Sequence, residues 1–389
     1  MAKPTRLKIT GILIALAISL LSTFIACDFQ PTVIFDSAKS GDITLPFLTK
    51  AEIRQLLEET DSKHLPSPVM EEEPDYNPMD SSSPWNPGKV KQEALDLALA
   101  RINVIRRLCG LPPMITQEAG NNSAQYGAAL MAITQVPGHG TQPEWPGIDS
   151  ASIKKGKDAT GAGNIYELPP EQIVSAMDGY CRDQGNPGVG HRLTLLAPSA
   201  TQIGIGTAPP PPTGGRGANV VQVYSLPALP QDYIHKEFDW DFISYPSSGY
   251  FPLRGSLFGN PASWSIKLNT KHYAKIGDKA NEVPAKDVAV SLIRTSDGAT
   301  WNFCIDDDTE ILTIGDLLVY NCEPGHFIPG GDTIIFRILK ENPEHPGDPN
   351  KRIDYPYKDG EIYQVQVHGL KDKSGNPVDF AFQTEFFTP

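Results

Sequence analysis

The spacing of apolar residues changes character several times along the chain. Residues 9–21 form a mostly apolar run, too short for a comfortable membrane span. Across residues 28–89 apolar positions thin out among Pro, Ser and acidic residues, with runs at Glu71-Glu72-Glu73 and Ser81-Ser82-Ser83. Only residues 50–60 there, with Ile53, Leu56 and Leu57 on one face, predict a short helix. Spacings of three and four then take over. Leu95, Ala98, Ile102, Ile105 and Cys109 make one stripe on a helix starting near Val90, stopped by Gly110 and Pro112-Pro113. Ala124, Ala128 and Met131 make a second stripe. Pro169-Pro170 preset the start of a third helix, Glu171 suits its positive end, and Ile173, Ala176, Met177, Tyr180 and Cys181 share one face. Strands at 202–207 and 219–224 follow, joined by a surface loop rich in Pro and Gly.

Beyond Leu226-Pro227-Ala228-Leu229-Pro230, where two prolines interrupt any regular element, the period becomes two. Val288, Val290 and Leu292 recur at every second position, as do Ile334, Phe336 and Ile338, and Tyr363, Val365 and Val367. Such short alternating runs between turns predict a β-sandwich. The chain therefore divides into 1–26, 27–89 as a polar tether with a short helix, an α+β domain at 90–230, and an all-β domain at 231–389.

The N-terminus sets the expected compartment. Lys3, Arg6 and Lys8 precede the apolar run, and Phe24-Ile25-Ala26 leads into Cys27, the layout of an export signal ending in what looks like a bacterial lipobox. Cleavage before Cys27 and acylation of its sulfur predict an exported protein held by lipid at the cell envelope or cell surface. Cys109, Cys181, Cys304 and Cys322 then remain, an even number suited to an oxidising space. They allow three pairings, of which the domain division favours Cys109 with Cys181 and Cys304 with Cys322. Loss of the three basic signal residues takes the net charge from -13 to -16. A chain so acidic repels phosphate backbones, so nucleic acid is excluded as a partner.

One stretch carries a family likeness. Asn103, Arg106 and the exit Gly110-Leu111-Pro112-Pro113, then Gly163-Asn164-Ile165, Gly190-His191-Arg192 and Ile203-Gly204-Ile205-Gly206, resemble the bacterial branch of the CAP superfamily of cysteine-rich secretory, antigen 5 and pathogenesis-related proteins. The likeness implies an α-β-α sandwich. It also implies a cleft with two histidines and two glutamates able to hold a divalent metal or polarise a water. His139 and His191 match the histidines, Gly163 stands where the first glutamate would be, and Asp183 takes the place of the second, with Glu167 nearby. Zinc on His139, His191 and Asp183 is the cofactor this implies. The ending of the chain, Gly369 to Asn376 between two strands, resembles bacterial Ig-like modules.

Two functions follow as expectations. The first is a non-enzymatic, lipid-anchored module whose cleft takes a small apolar ligand, such as a lipid, or a partner protein. The second is a metal-dependent hydrolase using the degenerate His/Asp/His set. No Gly-x-Ser-x-Gly elbow is present, and the acidic run 306–310 lacks the glycine and closing carboxylate of an EF-hand, which predicts a solvated hairpin turn there.

Overall fold

A computed structural model describes residues 38–40, 43–45, 47–61, 63–224, 240–253, 263–306, 309–314, 317–322, 325–346 and 352–389. The export-signal run, Cys27 and the boundary at 226–230 lie outside the described residues. Among the described residues no helix is long and apolar enough to cross a membrane.

A short hairpin of β1 (Ala38–Ser40) and β2 (Ile43–Leu45) precedes α1 (Lys50–Asp61). Thr49 and Glu52 form a capping box that starts α1: the Thr49 N–H donates to Glu52 Oε2 at 2.7 Å, and the Glu52 N–H returns to Thr49 Oγ1 at 3.3 Å. Ile53 and Leu57 of α1 are fully buried. The stretch expected as a spacer is thus folded onto the protein. Val69 and Met70 join the same core, Trp85 enters a second one, and β3 (Met70–Glu72) pairs with β4 (Lys89–Val90). Its polar composition concealed this because a few large side chains pack there without any periodic stripe.

The middle region runs α2 (Gln92–Leu108), β5 (Ile115–Thr116), α3 (Glu118–Thr134), α4 (Ser150–Ala162), β6 (Asn164–Tyr166), α5 (Ile173–Arg182), α6 (Gly190–Leu195), β7 (Gln202–Ala208) and β8 (Ala218–Tyr224). Its sheet has the order β5-β7-β8-β6. Ile203 and Val221 face α2 and α5, while Ala218 and Val220 pack with α3 and α4, so helices cover both sides. The alternating glycines of β7 let α3 lie unusually close: a Cβ on Gly204 would fall 2.3 Å from Gly120, and one on Gly206 2.3 Å from Ala124. From α3, Asn121 and Gln125 accept the Ile205 and Thr207 N–H groups at 2.9 and 3.1 Å, satisfying strand donors that the sheet leaves open.

The last region is all β. One sheet has the order β14 (Glu310–Ile314), β15 (Leu317–Cys322), β16 (Gly325–Gly330), β17 (Thr333–Lys340), β11 (Trp264–Leu268), β9 (Phe242–Tyr245), with β18 (Ile353–Asp354) beside β17. The other has the order β10 (Gly249–Pro252), β20 (Pro377–Phe387), β19 (Ile362–Lys371), β12 (Ala289–Arg294), β13 (Thr300–Phe303). Trp264, Phe336, Tyr357, Tyr363 and Phe386 meet in an aromatic cluster at their centre. Two expectations need correction here. The strands flanking the acidic run, β13 and β14, belong to different sheets and so do not form the expected hairpin. Nor are the cysteines bridged: Cys109, Cys181, Cys304 and Cys322 are free thiols, and the Cys322 thiol instead donates to the Cys304 carbonyl at 2.9 Å.

The larger apolar core passes without interruption from α1 through α2 and α5 into both sheets of the last region. The smaller one is confined to Trp85, α3, α4 and one face of β8 with its neighbours.

Candidate functional site

The Gly190-His191-Arg192 triplet opens α6, and the turn before it decides how that helix is held. Asp183 ends α5 in the left-handed conformation (φ 49°, ψ 40°), where its short side chain reaches forward. Asp183 Oδ2 accepts the His191 and Arg192 N–H groups at 3.0 and 3.3 Å, and Oδ1 accepts His191 Nδ1–H at 2.9 Å. With a side chain only 2% exposed, Asp183 serves as the cap of α6 and the holder of the imidazole. The ring is a quarter exposed and stands edge-on to Tyr180, centroids 5.5 Å apart. Tyr180 in turn meets Tyr166 at 5.7 Å and places its hydroxyl 3.1 Å from the Asn219 carbonyl. Burial raises the Tyr180 phenol well above its ordinary range, so it is a neutral donor.

Arg192, the next residue, is fully buried and faces the opposite way. Its guanidinium donates to the carbonyls of Cys181 at 2.5 Å, Arg182 at 2.8 Å and Ser263 at 2.7 Å, and stacks over Tyr245 at 4.2 Å. Burial lowers its pKa from the ordinary arginine range. Val189, also in the left-handed region at φ 43°, is buried against Val319, Ile328 and Ile335 of the last region. A β-branched residue in that conformation is strained, and packing from the neighbouring sheet holds it there.

His139 lies elsewhere in this arrangement. It follows α3 in an exposed loop, and its Nδ1 is 2.9 Å from the Thr160 carbonyl near the end of α4. Asn164, four residues on, donates from its side chain to the His191 carbonyl at 3.1 Å. Both histidines are therefore attached to the α4–β6 junction, but by different atoms and without a shared carboxylate. Gly163 explains the missing one. A Cβ there would sit 2.7 Å from the Ala159 carbonyl and 3.1 Å from Val220 and Val221, so the position has no room for a glutamate. Glu167 pairs with Arg216 at the surface, at 2.6 Å. Among the described residues no three His, Cys, Asp or Glu side chains gather closely enough to hold a metal ion. Burial also pushes the Cys109 thiol up to about 12 and that of Cys181 well above its usual value, which leaves neither as a thiolate near neutral pH.

The structure adds a feature that sequence reasoning missed. An open groove of about 420 Å³ runs along β6, lined by Met131, Pro137, Ile165, Tyr166, Leu168 and the Glu167–Arg216 pair. Gln135, left-handed at φ 54°, holds its rim by accepting the Arg216 N–H at 2.8 Å and donating to the Arg216 carbonyl at 2.9 Å. The available signal was Tyr166, a large aromatic directly after the Asn164-Ile165 motif that remains 41% exposed.

The family model described as "CAP: Cysteine-rich secretory protein family" matches residues 99–224. This stretch is a CAP domain. Two solved structures are similar to the chain. A crystal structure of MpPR-1i soaked with selenourea is 18% identical, covering 37% of this chain and 99% of its own at a TM-score of 0.25. The CAP domain of Enterococcal PrgA is 13% identical, covering 53% of this chain and 92% of its own at a TM-score of 0.26. At those scores neither adds to the assignment, which rests on the family match. No curated protein matches the chain. The CAP domain includes the capped α6 turn, the groove along β6 and both histidines.

Proposed function

We propose that the protein is a lipid-anchored cell-envelope binding module whose CAP domain takes a small apolar ligand in the β6 groove and performs no catalysis. The observation that carries this reading is the state of Asp183: both oxygens are engaged by α6 and His191, so the residue that would complete a metal or hydrolytic set is already a structural cap. The groove then offers the accessible surface, apolar along Met131, Pro137, Ile165 and Leu168 and polar at Tyr166 and the Glu167–Arg216 pair. That composition suits an acyl chain or sterol body with a polar end. For the last region the reading is an Ig-like module. It is supported by the neighbours β9-β11-β17-β16 in one sheet, β20-β19-β12 in the other, and the parallel pairing of β10 with the final strand.

Two experiments test the proposal. Native mass spectrometry of the protein with saturated fatty acids and a sterol is expected to show one-to-one adducts that an Ile165→Asp Tyr166→Ser variant loses. Equal adducts in the variant would place the ligand elsewhere. Incorporation of labelled palmitate is expected to disappear with Cys27→Ser, and its persistence would remove the anchor from the account.

A further inference from the structure

The five-stranded sheet of the last region has one face in the core, where Val290, Leu292, Val365 and Val367 are fully buried. Period two turns the alternate residues outward, and the strand registers align them in rows. Asn302, Ser291 and Gln366 stand side by side across β13, β12 and β19, and Thr300, Gln364 and Gln383 fall in the adjoining row. The two rows otherwise contain only Ile293 and Ala381. No charged residue occurs in them, although the chain carries 33 Lys and Arg and 46 Asp and Glu. Charges begin at the margins, with His368 and Asp379 3.0 Å apart at one end and the Lys50–Glu385 pair at the other.

These side chains form an ordered donor and acceptor array. Neighbours across strands are roughly 5 Å apart and alternate residues along a strand roughly 7 Å apart. The Ser291 hydroxyl donates to Asn302 Oδ1 at 2.7 Å, which orients that amide. Gln364 Nε2 has no hydrogen-bond partner among the described residues. Tyr250 stands beside Glu385 at the margin, its ring under the Lys50 ammonium at 5.1 Å and edge-on to Phe387 at 6.2 Å.

From this juxtaposition we propose that the outer face of the β10-β20-β19-β12-β13 sheet binds an uncharged polysaccharide. A primary amide pairs one acceptor with one donor, the complement of two adjacent sugar hydroxyls, and a row of amides repeats that match along a chain of sugars. Other occupants fit poorly. Nucleic acid needs cations that this face lacks, a lipid surface needs more than Ile293 and Ala381, and an added strand needs a sheet edge, not a face. The site is independent of the CAP groove and stands or falls separately from it.

Affinity electrophoresis of the full protein through gels containing soluble β-glucan, mannan or the acidic polygalacturonate tests the proposal. At least one neutral polymer is expected to retard migration and polygalacturonate is not, with affinity falling about tenfold or more in Gln364→Ala Gln366→Ala. Ile165→Asp in the CAP groove is expected to leave retardation unchanged. Failure of both neutral polymers to retard the protein, equal retardation by the acidic polymer, or full retention by the double variant with an unchanged melting temperature would each overturn it.

Discussion

The loops that carry His139 and His191 look equivalent in the sequence, yet the protein builds them in different ways. His139 is exposed and held by one backbone carbonyl beside the smaller core of α3 and α4. His191 sits in a turn fixed by a buried carboxylate, and the flanking Arg192 and Val189 are gripped by the β-rich region. The difference shows that the CAP domain has one face of its own and one face shared with the rest of the chain. A histidine on the shared face is positioned by long-range packing, whereas one on the private face depends on its own loop.

The largest effect is expected at the joint. Arg192→Leu strands buried carbonyls of Cys181, Arg182 and Ser263, and urea unfolding should report a loss of about 3–5 kcal/mol. A loss under about 1 kcal/mol would mean that the two faces do not differ as described. Next comes Gly163→Glu, which restores the family's carboxylate at a position without space. It should cost about 1–3 kcal/mol in the same assay and create no zinc site. Asp183→Asn keeps the shape of the α6 cap but weakens its charge, and about 1 kcal/mol is expected from thermal unfolding.

An exposed ion pair gives the comparison its lower end. Arg294 holds the Asp297 carboxyl down to about 2, from an ordinary 3.8. A depressed carboxylate contributes stability above the ordinary value and loses it as pH falls through the shifted one. The small gap in melting temperature between wild type and Asp297→Asn should therefore be constant near neutral pH and close between pH 4 and 2, the window those two values set. A gap that persists at pH 2 would assign it to packing.

The sequence made some of this legible for definite reasons. Helices α2 and α5 announced themselves because each buries one stripe at helical spacing, and β12 and β19 because each buries every second residue. Helix α4 escaped notice: its cap at Asp149, which accepts the Ser152 N–H at 2.9 Å, is clear, but Ser, Gly and Lys dilute its apolar face. The histidines and Asp183 were found by family likeness, while the use of both Asp183 oxygens on α6 and His191 was hidden because it follows from the turn between α5 and α6. Neither the shared core nor the neutral amide rows could be read along the chain, since both arise from strand register and from contacts between distant segments.

The zinc content of the purified protein after dialysis, measured beside a His139→Ala His191→Ala variant, tests the central claim most directly. The account predicts that both retain the same background amount, because among the described residues no three His, Cys, Asp or Glu side chains gather to hold a metal. One zinc per wild-type chain, absent from the double variant, would contradict it.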